Sequence, residues 1–189
     1  MIKILCIKIL IALFFPVICF SQTIPQKHNP KVDPNLSPAN NKSINPEKNA
    51  AINPKVNWNI NPEHNQVINP DTNASINPII VNDLNPNKNR MLNPMYHNEL
   101  HPQNPNWEGL YVFDKDDELI GYISSASQNV TLYFDTSYKW LGYFVKSGKG
   151  TYNFYNINDQ WTGQFGCYDG ITGFNFFEKD GEWKGVHVK

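Results

Sequence analysis

The sequence predicts an all-β C-terminal domain of four antiparallel β-hairpin repeats, forming a curled sheet or a small barrel. Ahead of it lies an N-terminal array of Asn-Pro turns, mostly without regular secondary structure. Three observations carry this reading. Asn-Pro, or a near variant, returns every eight residues from Asn29 to His101. Four glycines, Gly121, Gly142, Gly163 and Gly185, return at intervals of 21, 21 and 22 residues. Prolines crowd the chain as far as Pro105 and are absent beyond it. Self-similarity at a fixed period is the mark of a repeat architecture, and here two periods meet at residue 106.

The division is therefore 1–21, 22–106 and 107–189. The first 21 residues read as a signal peptide: Lys3 and Lys8 open it, an apolar run from Ile9 to Phe20 follows, and Ser21 precedes Gln22 at the expected cut. A retained anchor helix and a lipid on Cys19 are the alternatives, although Pro16-Val17-Ile18 lacks the small residue expected before a lipidated cysteine. Cleavage would leave no transmembrane segment, since about 20 apolar residues are needed to span a bilayer. The chain is then expected outside the inner membrane: extracellular, on the cell surface or periplasmic. Without residues 1–21 it carries 14 basic and 17 acidic side chains and one cysteine, Cys167. A lone cysteine makes no internal disulfide. The mildly acidic balance argues against a nucleic-acid partner, which demands a basic face.

In the array the unit is [Ile/Leu]-Asn-Pro-x-x-Asn-x-x. Asn before Pro suits a helix N-cap, with Pro at the first helical position where its missing N–H costs nothing. The second Asn tolerates the left-handed conformation that ends such a turn. Burying one Ile per octad yields about 1.5–3 kcal/mol. Ordering eight backbones costs roughly 8–16 kcal/mol. Order must then come from stacked repeats, from packing on the C-terminal domain or from a partner. A spacer, a solenoid and an adhesive tract all remain open.

Two residues before each repeat glycine lie Leu119, Trp140, Trp161 and Trp183; eight before lie Phe113, Phe134, Tyr155 and Phe177. Polar segments separate them (114–118, 135–139, 156–160, 178–182), the last with the Asp180-Gly181 turn signal. Each unit thus reads as strand, short loop, strand. In an unbroken strand the Trp and the Gly share a face. The bare Gly leaves a hollow for a neighbouring ring, and the ring eight residues earlier is the expected occupant.

Gly148-Lys149-Gly150-Thr151-Tyr152 followed by Trp161-x-Gly163, echoed from Gly173-Phe174 to Trp183-x-Gly185, resembles a MORN repeat. Residues 109–188 are also similar to the aromatic hairpins of bacterial cell-wall- and glucan-binding repeats. The first two units lack the leading Gly-x-Gly, and the period is shorter than the MORN one. The resemblance implies a non-catalytic hairpin scaffold for binding or spacing.

Trp140, Tyr143, Trp161, Tyr168 and Trp183 are the candidate ligand rings, since ring faces stack on sugar C–H faces; the competing reading makes them the core of the domain. Glycan, cell wall or another surface protein are the partners this suggests. No cofactor or metal is expected. Asp114-Lys115-Asp116-Asp117-Glu118 opens like a calcium loop but has Leu119 and Ser125 where Gly and Glu are required. The histidines His28, His64, His97 and His101 follow no ligand spacing. No nucleophile, phosphate-loop or zinc motif occurs, so the expectation is a non-enzyme. Asn41, Asn73 and Asn129 fit the N-glycosylation pattern.

Overall fold

A computed structural model describes residues 29–171 and 173–188; the segment read as a signal peptide lies outside the described residues. The array is ordered. Each octad alternates an Asn-Pro turn with a three-residue 3-10 turn, eight of which run from Lys42–Ile44 to Asn98–Leu100 among the described residues.

Both asparagines of the octad act as hubs. Asn45 Oδ1 accepts from the Glu47 N–H at 2.8 Å, closing the Asn-Pro turn. Asn49 Oδ1 accepts from the Ala51 N–H at 3.2 Å, capping the 3-10 turn. Each Nδ2 then reaches back one octad: Asn53 to the Pro46 carbonyl at 3.0 Å and Asn57 to the Ala51 carbonyl at 2.7 Å. One octad is therefore one coil of a solenoid, bonded to its predecessor through two side-chain amides. The second asparagine is extended rather than left-handed, with φ −120° and ψ 94° at Asn49, because its side chain caps the turn ahead instead of ending the one behind. Val81 and His97 stand in this place in two octads, and there the side-chain cap is absent.

The C-terminal part is an antiparallel sheet of eight strands: β1 (Leu110–Phe113), β2 (Leu119–Ser125), β3 (Val130–Asp135), β4 (Trp140–Gly148), β5 (Thr151–Asn156), β6 (Trp161–Tyr168), β7 (Phe174–Phe177) and β8 (Trp183–Val188). Neighbours in sequence are neighbours in the sheet, which curls until β8 pairs with β1, Val112 lying opposite Val188. Four loops share one closure. The N–H of Asp114, Asp135, Asn156 and Glu178 donates to the carbonyl four residues on. The fourth loop residue has positive φ: Asp117 66°, Tyr138 64°, Asp159 67° and Gly181 95°. In the first three, the side-chain oxygen of the leading Asp or Asn accepts two further backbone N–H bonds.

A bulge in the second strand of these pairs corrects the expectation for Trp-x-Gly. Phe134 lies opposite Trp140 while Tyr133 lies opposite Gly142, so Leu141 is the extra residue. An inserted residue flips the alternation. Trp140 therefore shares a face with Phe134, and Gly142 opens onto the other. The hollow at Gly142 is filled by the Phe154 ring and that at Gly121 by Tyr133, one residue earlier in the repeat than the expected occupant. These rings belong to the enclosed face: Phe144 of β4 meets Phe176 of β7 at 5.0 Å, although the two strands are not neighbours.

The outward face meets the array. Ile68, Ile76 and Leu84 form one core with Val130, Leu132, Phe134, Trp140, Tyr143, Val145 and Tyr155. Ile52 packs on Phe165, Cys167 and Phe177. Contacts pass through the strands in reverse order as the array advances. Asn175 of β7 donates to the Leu36 carbonyl, Cys167 of β6 to that of Ile52, Asn153 and Tyr155 of β5 to those of Ile60 and Ile68. The array is thus a belt crossing the strands.

The two periods interlock at the loop tips. Asn29 donates to Asp117 at 3.0 Å, Asn77 donates to Asp159, and the His101 ring meets Tyr138 at 4.7 Å, tilted by 51°. A side chain added at Gly181 would come within 3.4 Å of the Asn53 amide. Asn29, Asn53, Asn77 and His101 are each 24 residues apart, so three octads advance the belt by one pair of strands.

Asn61 is 5% exposed, accepts from Glu63 N–H at 2.8 Å and donates to the Pro54 carbonyl at 3.0 Å. Replacing it orphans buried backbone groups, which costs about 1–3 kcal/mol each. Urea unfolding should show Asn61→Ala destabilised by at least that much, while Trp58→Ala on the solvent face (66% exposed) stays within about 0.5 kcal/mol of the parent.

Candidate functional site

The five rings singled out from the sequence do not form one exposed row. Trp140 is buried under the belt, its Nε1 donating to the Gly142 carbonyl at 2.7 Å. Tyr143 is buried, stacked on Tyr155 at 5.3 Å, with its hydroxyl bonded to Asp159, which also takes the Asn77 amide. Burial and the adjacent Asp159 hold its hydroxyl proton far more tightly than usual. Trp161 is half-buried beneath the Lys179 ammonium, 5.0 Å from the ring, and Lys179 pairs with Glu63 of the belt at 3.4 Å. Trp183 is half-buried and packs beside Phe165 and Phe177. Tyr168 alone is well exposed. Cys167 is buried, and burial pushes its thiol well above the ordinary range.

A different ring cluster is formed where the belt ends. From Asn29 to His101 the array passes three of the four loop-to-loop steps around the sheet, leaving the outward face of β1 and β2 to other residues. Tyr111 and Tyr122 lie opposite each other there, on the same side as Phe134. Trp107 meets Tyr111 at 4.6 Å and Tyr122 at 6.0 Å, both edge-on. Tyr122 stacks on Tyr138 at 5.5 Å, and Tyr138 meets His101. All five rings are partly exposed, and Trp107 Nε1 is buried without a hydrogen-bond partner. His101 also borders a shallow cleft of about 400 Å³ with Asn98, Gln103, Asn104 and Pro105. The ring cluster, or seam, and this cleft adjoin through His101.

The seam rings were not among the candidates read from the sequence, though two signals mark them. His101 occupies the asparagine place of the last octad, and Tyr138 stands in the left-handed loop place that Asp or Gly fills elsewhere. A bulky residue with positive φ is uncommon and marks a position held for a reason.

The Tyr122 hydroxyl, a neutral donor, is pushed up to about 12 by burial, then by the neighbouring Tyr138 and Tyr111. Among the described residues no group of three or more His, Cys, Asp or Glu is placed to hold a metal ion, and no helix is long and apolar enough to cross a membrane. Compared with known proteins, the chain matches no family model, no curated protein and no solved structure.

Tyr122 and Tyr133 both rise from 10.0 to about 12, Tyr133 through burial and then Asp135. A raised pKa means the folded state holds the proton more tightly, so this contribution to stability is complete below pH 10 and is lost as pH climbs through 12. Absorbance titration of the phenolates should show both ionising near 12, with Tyr122→Phe removing one late step, and urea stability should fall across that same window.

Proposed function

We propose that this chain is an exported, non-enzymatic interaction module of four hairpin repeats clasped by the octad belt, and that its ligand is a glycan held at the aromatic seam. The observation that carries this is the meeting of Trp107, Tyr111, Tyr122 and Tyr138 with the amide-bearing cleft beside His101. Partly exposed rings offer apolar faces to the C–H side of a pyranose, and Asn98, Gln103 and Asn104 offer both donors and acceptors to its hydroxyls. Such a mix of apolar wall and a few convergent polar groups is the usual make-up of a small-ligand site. The resemblance to cell-wall- and glucan-binding hairpins supports the same partner class. It shifts the binding rings from the repeat tryptophans, which lie under the belt or half-buried beside it, to the place the belt leaves open.

A spacer reading of the array has less support, because the belt's aliphatic stripe is spent on the sheet from Leu36 to Leu84. An array so placed braces the repeat domain and holds it in one shape.

Tyr138 allows a clean test, since its φ of 64° suits Asn at least as well as Tyr. Retention on immobilised peptidoglycan and on neutral polysaccharides should fall at least tenfold for Tyr138→Asn and Trp107→Ala, with Tyr138→Asn still unfolding in one cooperative transition. Trp58→Ala, on the solvent face of the belt, should bind as the parent does. Retention lost in Trp58→Ala but kept in Tyr138→Asn would overturn the seam assignment.

A further inference from the structure

We propose that the interior of the barrel is a second binding site, which takes the alkyl chain of an amphiphile. The enclosed face is almost wholly aromatic and aliphatic, yet it is not filled. One cavity of about 100 Å³ lies toward the end opposite the four loops, lined by Leu110, Ile123, Thr131, Tyr152 and Phe174. A second, of about 90 Å³, lies toward the loop end, lined by Ile120, Tyr133, Phe154 and Lys184. Phe144 and Phe176 border both, and their rings meet at 5.0 Å between them. Eight strands enclose a space just wide enough for side chains or one slim ligand.

Three features select an alkyl chain. The outer cavity is almost wholly apolar and the inner one mostly so, and apolar cavities of this order take up small hydrocarbons. They succeed each other along the barrel, so a rotation of the Phe144–Phe176 pair joins them into one narrow tube, a shape that fits an unbranched chain better than a fused ring. Polar groups occur at the ends. Thr131 and Tyr152 border the outer cavity, while at the loop end Lys184 pairs with Glu178 at 3.3 Å and Gln164 Nε2 reaches the same carboxylate. The chain enters past Leu110, Tyr152 and Phe174, which are only half-buried, and its headgroup stays outside that rim. This site is separate from the seam, which lies on the outward face of the same sheet.

The test is titration of the full chain with n-decanol carrying a ¹³C-labelled terminal methyl. Saturable one-to-one binding is expected, with nuclear Overhauser contacts from the methyl to the Phe144 and Phe176 rings. Thr131→Phe at the entrance and Ile123→Phe in the wall should each weaken binding at least tenfold without lowering the melting temperature. Absence of saturable binding, or parent-like binding by both folded variants, overturns the proposal. If both variants unfold, the methyl contacts decide: contacts to Trp107, Tyr111 or Trp58 in place of Phe144 and Phe176 overturn it equally.

Discussion

A side-chain amide that satisfies two coils at once is the interaction on which this structure rests. An octad offers one aliphatic residue, and that burial falls far short of the entropy lost in ordering eight residues. Asparagine closes the gap because its oxygen accepts within its own turn while its nitrogen donates to the coil behind. Aspartate supplies no donor and serine no second arm, which is why the repeat is so strict in this one residue type. Where the rule lapses, at Ser37, Val81 or His97, the bonds of one hub are forfeited between neighbours that keep theirs. The belt tolerates isolated lapses because each coil is tied to the next by more than one contact.

The belt and the sheet complete each other. The octads present a single apolar stripe of Ile or Leu with Asn and Pro, and the sheet presents an outward row from Val130 to Phe177 that would otherwise face water. The most fully buried large side chains of the molecule, among them Tyr143, Tyr155, Phe134, Phe165 and Phe177, lie at this junction rather than inside the barrel. Asn153 and Asn175 each donate to a carbonyl of the belt across it, while their buried Oδ1 atoms meet no donor. Rings placed at the margin of such a junction inherit its rigidity, as a preorganised site would require.

Much of this was legible in the sequence, and what was not has physical reasons. The antiparallel sheet was legible in the glycine period and in the polar segments that separate its aromatic stretches. The loss of proline after Pro105 marked the junction between array and sheet. The bulge at Leu141 was hidden, because one inserted residue leaves the composition of a strand untouched while exchanging its faces. The packing of belt on sheet was hidden too. Ile52 and Cys167 are 115 residues apart in the chain, and no local pattern joins them. The seam was the hardest to see. It arises from a shortfall between two periods: Trp107 lies outside both repeats, and Tyr138, although at a repeated loop place, has no ring at the matching place of the other loops.

The coupling of three octads to each pair of strands has a bearing on how such a chain can change length. A single octad gained or lost keeps every bond within the belt, yet it moves all later coils out of step with the loop tips. Asn77 would no longer face Asp159, nor His101 face Tyr138. Gains and losses of three octads restore the match. The belt is therefore quantised: duplication of its coding repeat is neutral only in threes, and one further set of three would carry it across β1 and β2 and close the seam. The open seam is, in that sense, one unit of three octads wide.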